Sequence, residues 1–317
     1  MQIDLKCKLM ILLWGIPADE PISKVWQVLI RKGAEVAFLD QHLVLETEVK
    51  LSVDERISGS LRVKNDVIEL QDVTAFYLRP YDSSRIPEIK KTGPNSVELG
   101  HALAVEDVLV SWADITPALV VNRPSLMSSN NSKPYQSSLI HEIGFEIPDT
   151  IITTDPEAAY HFTKKHGEVI YKSVSGSRSI VSRLKITEAE RLKDIRWCPT
   201  QFQEYIPGND VRVHVIGEEV FACEIISAAD DFRYTYLSEA APSIKNIDLP
   251  EDLVELCKKL TALLNLHIAG IDLRRTPENV WYCFEVNPCP GFSFFQEAAH
   301  QPIDEAIAQL LISALNR

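Results

Sequence analysis

Three oxygen-bearing side chains near the C-terminal end have the types and spacing to hold a cation. Asp272 lies in the apolar segment Gly270-Ile271-Asp272-Leu273, and Glu285 and Asn287 lie in Phe284-Glu285-Val286-Asn287. The short polar stretch 276–279 between the segments predicts two neighbouring strands joined by a turn, so the three side chains can converge. Residues two apart on a strand share a face, which puts Glu285 beside Asn287. Two carboxylates and an amide oxygen form a hard, all-oxygen donor set, suited to Mg²⁺ held jointly with nucleotide phosphates. Any one of these acids alone reads as a solvated strand-end residue. On paired apolar strands, uncompensated carboxylates would cost on the order of several kcal/mol, which favours the cation.

Two lysines fit a nucleotide reading. Lys172 ends the apolar run Val169-Ile170-Tyr171 and leads into Ser173-Val174-Ser175-Gly176-Ser177-Arg178-Ser179. Small residues after a strand can turn their N–H groups toward a phosphate, although Ser-rich loops are also ordinary turns. Lys133 opens a helix with Pro134 in its first turn. Neither GxxxxGK nor GxGxxG occurs. The six cysteines include no CxxC pair and read as reduced thiols; Cys289, with no histidine in a recognisable relation, reads as a small buried residue. His300 is a candidate substrate contact, and Arg79, ending an N-terminal strand, is either a substrate-facing residue or a charge that closes the strand.

The elements that must position these residues follow from periodicity. The run 9–14, the amphipathic stretch 22–30 closed by Gly33, and the run 36–39 form a β-α-β opening, hence a parallel sheet. A hairpin around Lys64-Asn65-Asp66, a strand at 74–78, a helix over 99–112 and a strand at 119–122 complete the first third. Residues 125–132 read as a polar loop before the Lys133 helix. Strands at 150–153, 169–172, 180–184 and 201–205, with an Asp155-capped helix, come next. An alternating pair follows, 211–215 and 220–225, turning at Gly217. Then come a helix over 253–264, the two strands of the acidic trio, and a closing helix over 303–315.

The order Lys133, strand Lys172 with a small-residue loop, Gln203-Glu204-Tyr205-Ile206, Asp210-Val211-Arg212, Asp272, Glu285-Val286-Asn287 and Pro290-Gly291 resembles the ATP-grasp superfamily. Within it the chain is most similar to the RimK-like carboxylate–amine ligases, including the ATP-grasp maturases of ribosomal peptides. The resemblance implies an α/β chain, α+β in its ATP-binding part: an ATP-grasp fold behind an N-terminal parallel-sheet domain. It implies three lobes, residues 1–121, 122–198 and 199–317. Lys133 and Lys172 would contact ATP phosphates under a loop containing Ser175 and Gly176. Residues 203–206 (Gln203, Glu204, Tyr205, Ile206) would hold adenine, with Asp210 near the ribose. Arg212 and Arg233 would face the γ-phosphate and an acyl phosphate, unless they merely pair with surface acids. Asp272, Glu285 and Asn287 would bind two Mg²⁺.

Length and composition set the outer limits. The 317 residues correspond to about two folding units at ~150 residues each, and 45% hydrophobic with 24% charged residues is ordinary for a globular chain. The 32 basic and 45 acidic residues give a net charge of −13, which disfavours nucleic acid and bare membrane and leaves a basic peptide segment as a complementary partner. No run approaches ~18 apolar residues, so the expectation is a cytoplasmic protein. A homo-oligomer stays open. The function implied is ATP- and Mg²⁺-dependent ligation of a peptide or small carboxylate to an amine or hydroxyl. A phosphotransferase on the same site is the alternative. A regulator without turnover fits less well, because all three metal ligands and both lysines are present.

Overall fold

Ile11, Leu12 and Leu13 are wholly buried because their strand lies inside a parallel sheet covered on both faces. The computed structural model describes residues 9–174, 182–184, 186–227 and 242–316. Strands β1 (Met10–Gly15) and β2 (Val36–Asp40) flank the crossover helix α1 (Glu20–Arg31). Gly33 takes φ +69° after the helix end, a conformation that favours glycine, so the chain can turn back toward β2. A three-stranded meander follows, β3 (Thr47–Val53), β4 (Ile57–Val63) and β5 (Asp66–Glu69), and the chain then returns to the first sheet as β6 (Val73–Leu78). After the short α2 (Pro87–Lys90), helix α3 (Val97–Ile115) covers one sheet face, its first turn capped by the Ser96 hydroxyl, which accepts the Leu99 N–H at 3.1 Å. With β7 (Leu119–Val121) the sheet order is β2-β1-β6-β7, all parallel.

The rest of the chain builds two antiparallel-rich sheets. Helix α4 (Lys133–Ile143) leads to β8 (Thr150–Thr153), α5 (Pro156–His166), β9 (Val169–Ser173), β10 (Ser182–Arg183) and β11 (Thr200–Glu204), with sheet order β10-β9-β11-β8. The Asp155 carboxylate accepts the Glu157 N–H at 2.9 Å, the expected cap of α5. The last sheet contains β12 (Asn209–Ile216), β13 (Glu219–Ile226), β14 (Ser243–Asn246), β15 (Ile268–Arg275) and β16 (Trp281–Asn287), in the order β14-β13-β12-β15-β16. Val211, Val213 and Val215 alternate toward α4 and α6 (Glu251–Leu263), while Arg212 and His214 point to the other face. Helix α7 (Ser293–Ala299) packs on that other face through Phe295. The final helix, α8 (Ile303–Ser313), leaves the sheet that precedes it and buries Ile303, Ile307 and Leu311 in the core shared by α1, β1 and β6.

The departures from the pattern reading have physical causes. Residues 124–131 form a 3-10 helix rather than a loop, opened by Pro124. β3 and β14 are edge strands with mixed burial, so their alternation is diluted. The 3-10 stretch Ile186–Trp197 and the seven-residue α7 are too irregular or too short for a 3.6-residue period to show.

Because Leu311 is fully buried in the shared core, Leu311→Ala should cost about 2–5 kcal/mol of stability by urea unfolding. Faster amide exchange in β1 and α1 should accompany it; an effect confined to α8 would separate that helix from the first sheet.

Candidate active site

Antiparallel pairing sets the acidic trio in rows. Arg212 lies opposite Asp272, and Asp272 opposite Glu285, across β12, β15 and β16. The next row is His214, Gly270 and Asn287. Residues directly opposite one another share a face, so all six stand on the side away from α6. One irregularity makes this possible. The register steps from Asp272↔Glu285 to Leu273↔Cys283, leaving Phe284 as an extra residue on β16. Without that bulge Cys283 and Glu285 would share a face. With it, Cys283 and Val286 pack into the α4–α6 core while Glu285 turns to the cleft.

Each carboxylate carries a protein cation. Arg212 Nη1 donates to Asp272 Oδ1 at 2.5 Å, and Lys133 Nζ donates to Glu285 Oε2 at 3.4 Å. Arg212 is 8% exposed at its side chain, whereas Asp272 and Glu285 keep 34% and 27%, so both carboxylates remain open to a ligand. Asn287 Oδ1 accepts the Cys289 N–H at 2.9 Å and retains a second lone pair. The donor set is therefore all oxygen and accessible, and it fits Mg²⁺.

Several supports carry no signal in a linear pattern. Gln136, one turn after Lys133, is 3% exposed; its Nε2 donates to the Val286 carbonyl and its Oε1 accepts the Val286 N–H, both at 2.9 Å. It acts as a missing strand for the edge of β16. Buried Asn122 donates to the carbonyls of Ile268 at 2.7 Å and Pro288 at 2.6 Å, and accepts the N–H groups of His267 and Ile268 at 2.8 and 3.2 Å. Arg274 donates to Asp210 Oδ1 from Nε at 2.8 Å and to the Ile206 carbonyl from Nη1 at 2.9 Å. Gly270 leaves room for Arg212: a Cβ there would overlap Arg212 Nη2 and lie 2.7 Å from Pro290 Cβ. His214 is fully buried against the Phe295 ring and accepts from Arg212 Nε at 3.5 Å.

The other expected positions distribute as follows. Lys172 lies on β9 opposite Gln201, in the central sheet. Gln203 is buried on β11 and donates from Nε2 to Thr150 Oγ1 at 3.0 Å; Glu204 closes that strand and Tyr205 stacks under the Arg183 guanidinium at 3.9 Å. Ser175, Gly176 and Arg233 lie outside the described residues. One reading changes. Cys289 is exposed rather than buried, and its Sγ lies 3.3 Å from Arg79 Nη1. Arg79 closes its strand: its Nε donates to Asp19 at 2.6 Å and its Nη1 to the Pro290 carbonyl at 3.0 Å, tying β6 to the loop after β16.

A family profile for the RimK-like ATP-grasp domain matches residues 130–311, more than half of the chain. The chain belongs to the RimK-like ATP-grasp family. Its class is that of ATP-dependent carboxylate–amine ligases. Glutathione synthetase of Thermosynechococcus vestitus is 24% identical over 272 residues, 80% of this chain and 77% of that protein. Among solved structures, the Chryseobacterium gregarium RiPP-associated ATP-grasp ligase, in complex with ADP and a leader and core peptide, superposes with a TM-score of 0.81 at 23% identity, covering 96% of this chain and 97% of the other. The ATP-grasp ligase PsnB, complexed with a minimal precursor, Mg and ADP, gives a TM-score of 0.76 at 25% identity over 97% and 98% of the two chains.

Gly270→Ala should displace the Arg212 guanidinium and lower ADP release about 100-fold with the fold retained. Turnover within twofold of the parent would show that Arg212 works from another position. Burial, and then the Arg212 charge, hold the His214 imidazole well below its ordinary range. In the unfolded chain the ring takes a proton near pH ~6.5, so below that pH the unfolded state binds a proton that the folded state refuses. Stability then falls by about 1.4 kcal/mol per pH unit until the folded ring is protonated. His214→Leu should remove this one-proton slope from urea-unfolding free energies measured between pH ~6.5 and ~5.

Proposed function

We propose that this protein is an ADP-forming ligase that activates a carboxylate of a peptide substrate as an acyl phosphate for attack by an amine or hydroxyl. One observation carries the reading: Arg212, Asp272 and Glu285 stand abreast on three strands of a RimK-like domain, with Asn287 and Lys133 beside them. A carboxylate is a poor electrophile until its oxygen is made a leaving group. The step asks for positioning and charge neutralisation rather than a protein nucleophile.

In this proposal Lys133 and Lys172 hold the phosphates, with the loop around Ser175 and Gly176 closing over them. The Gln203–Ile206 segment holds adenine; the Ile206 carbonyl is engaged by Arg274, so its N–H is the group that meets the base. Asp210, paired with Arg274, orders the segment nearest the ribose. Arg212 has donors beyond the one given to Asp272, and with Arg233 it meets the transferred phosphoryl group and the acyl phosphate. Asp272, Glu285 and Asn287 hold two Mg²⁺ ions, which supply charge neutralisation at the phosphoryl oxygens.

A peptide substrate is favoured by the leader and core peptide and the minimal precursor named for the similar structures. A net charge of −13 suits a basic recognition segment on that peptide. The lobes are taken as residues 1–121, 122–198 and 199–317, in a cytoplasmic enzyme. Among the described residues no helix is long and apolar enough to cross a membrane.

Incubation with Mg²⁺, ATP and candidate acidic peptides, read by mass spectrometry, tests the proposal. Loss of one water means an internal ester or amide, and gain of an aminoacyl unit means ligation. A product that retains the phosphoryl group would make the enzyme a phosphotransferase instead. Glu285→Gln should abolish ADP formation with an unchanged far-UV spectrum; undiminished turnover would remove Glu285 from the site.

A further inference from the structure

A second cluster of ligand atoms lies outside this cleft, where β8, α5 and β11 meet. His166 ends α5, and its side chain is 9% exposed. Its Nδ1 is 3.1 Å from Glu204 Oε2, and its Nε2 is 3.4 Å from Asp149 Oδ2. The Phe162 ring packs against the imidazole at 4.5 Å between centroids and fixes its plane. Nε2 is buried and makes no hydrogen bond among the described residues.

Neither protonation state of the ring gives Nε2 a hydrogen bond. A neutral imidazole with its proton on Nδ1, 3.1 Å from Glu204 Oε2, aims a bare lone pair at the Asp149 carboxylate. An imidazolium carries an Nε2–H that is not aligned for a hydrogen bond to that oxygen. A cation shared by Nε2 and Oδ2 satisfies both atoms.

We infer that Asp149 and His166 bind a transition-metal ion of the zinc class, with Glu204 orienting the imidazole. Two donors that each lie ~2.0–2.1 Å from one ion at a tetrahedral angle are separated by roughly 3.4 Å, the spacing seen here. A nitrogen beside an oxygen selects zinc-like ions over Mg²⁺ and Ca²⁺, which take oxygen alone. A carboxylate on the far ring nitrogen is the usual partner of a metal-bound histidine. Asp149 is exposed, so the ion enters from solvent on that side. Lys165 Nζ, 2.7 Å from Asp149 Oδ2, is the built-in competitor; it belongs to an exposed pair that yields readily. The site shares Glu204 with the segment proposed to hold adenine. The Glu204 N–H donates to the Asp149 carbonyl at 3.0 Å, and Asp149 N–H donates to Glu204 Oε1 at 3.2 Å, so an ion there braces that segment from outside.

The test is Zn²⁺ titration of the full chain by calorimetry, in excess Mg²⁺ and a thiol-free reductant. One zinc-class site is expected, weakened at least about tenfold by His166→Gln or Asp149→Asn and about 10–100-fold by Glu204→Gln. Lys165→Ala, at an exposed position, should tighten binding by removing the competitor. Glu285→Gln should leave the isotherm unchanged, which separates this result from any failure of the ligase assay. No zinc binding by the parent chain, or an isotherm indifferent to both His166→Gln and Lys165→Ala, would overturn the inference. It would assign any bound zinc to exposed thiols such as Cys198.

Discussion

The extra residue at Phe284 is the constraint on which the cleft depends. Antiparallel strands assign faces by strict alternation, and a buried Cys283 would commit Glu285 to the core. A single bulge reverses that parity for the rest of β16. It lets one short strand place Cys283 and Val286 inside and Glu285 and Asn287 outside. Opposite charges then stand abreast without either being stranded in an apolar layer: Arg212 meets Asp272, and Lys133 reaches Glu285 from α4.

A bulged edge strand is intrinsically loose, and the surrounding structure corrects for it. Gln136 gives Val286 the two main-chain hydrogen bonds a neighbouring strand would have given. Asn122 uses all its polar atoms to join the end of the first sheet to the start of β15 and to Pro288. Arg79 reaches the same loop from β6. These residues are buried or nearly so, and each bonds to main chain, so they fix backbone rather than one another. Side-chain donors arriving from three different elements hold the acidic strand in place.

Much of this was legible in the chain. The parallel opening followed from a continuous apolar run beside an amphipathic helix. The convergence of Asp272, Glu285 and Asn287 followed from apolar segments joined by a tight turn. The supports were not legible, because nothing about Gln136, Asn122 or Arg274 distinguishes them from surface polar residues until tertiary distance is known. Cys289 shows the reverse case. It was read as a core thiol, and the fold leaves it exposed beside Arg79. Edge strands such as β3 and β14 were diluted by solvent on one side.

The last helix has a consequence for synthesis. One face of the first sheet is closed by α8, which leaves the ribosome long after β1, α1 and β6. Until then Ile11, Leu13, Ile22 and Tyr77 lack part of their apolar cover, so the earliest sheet cannot complete its core as it is made. Contacts between elements this far apart in sequence close late and slowly. During that interval the nascent first sheet is the surface that chaperones would meet.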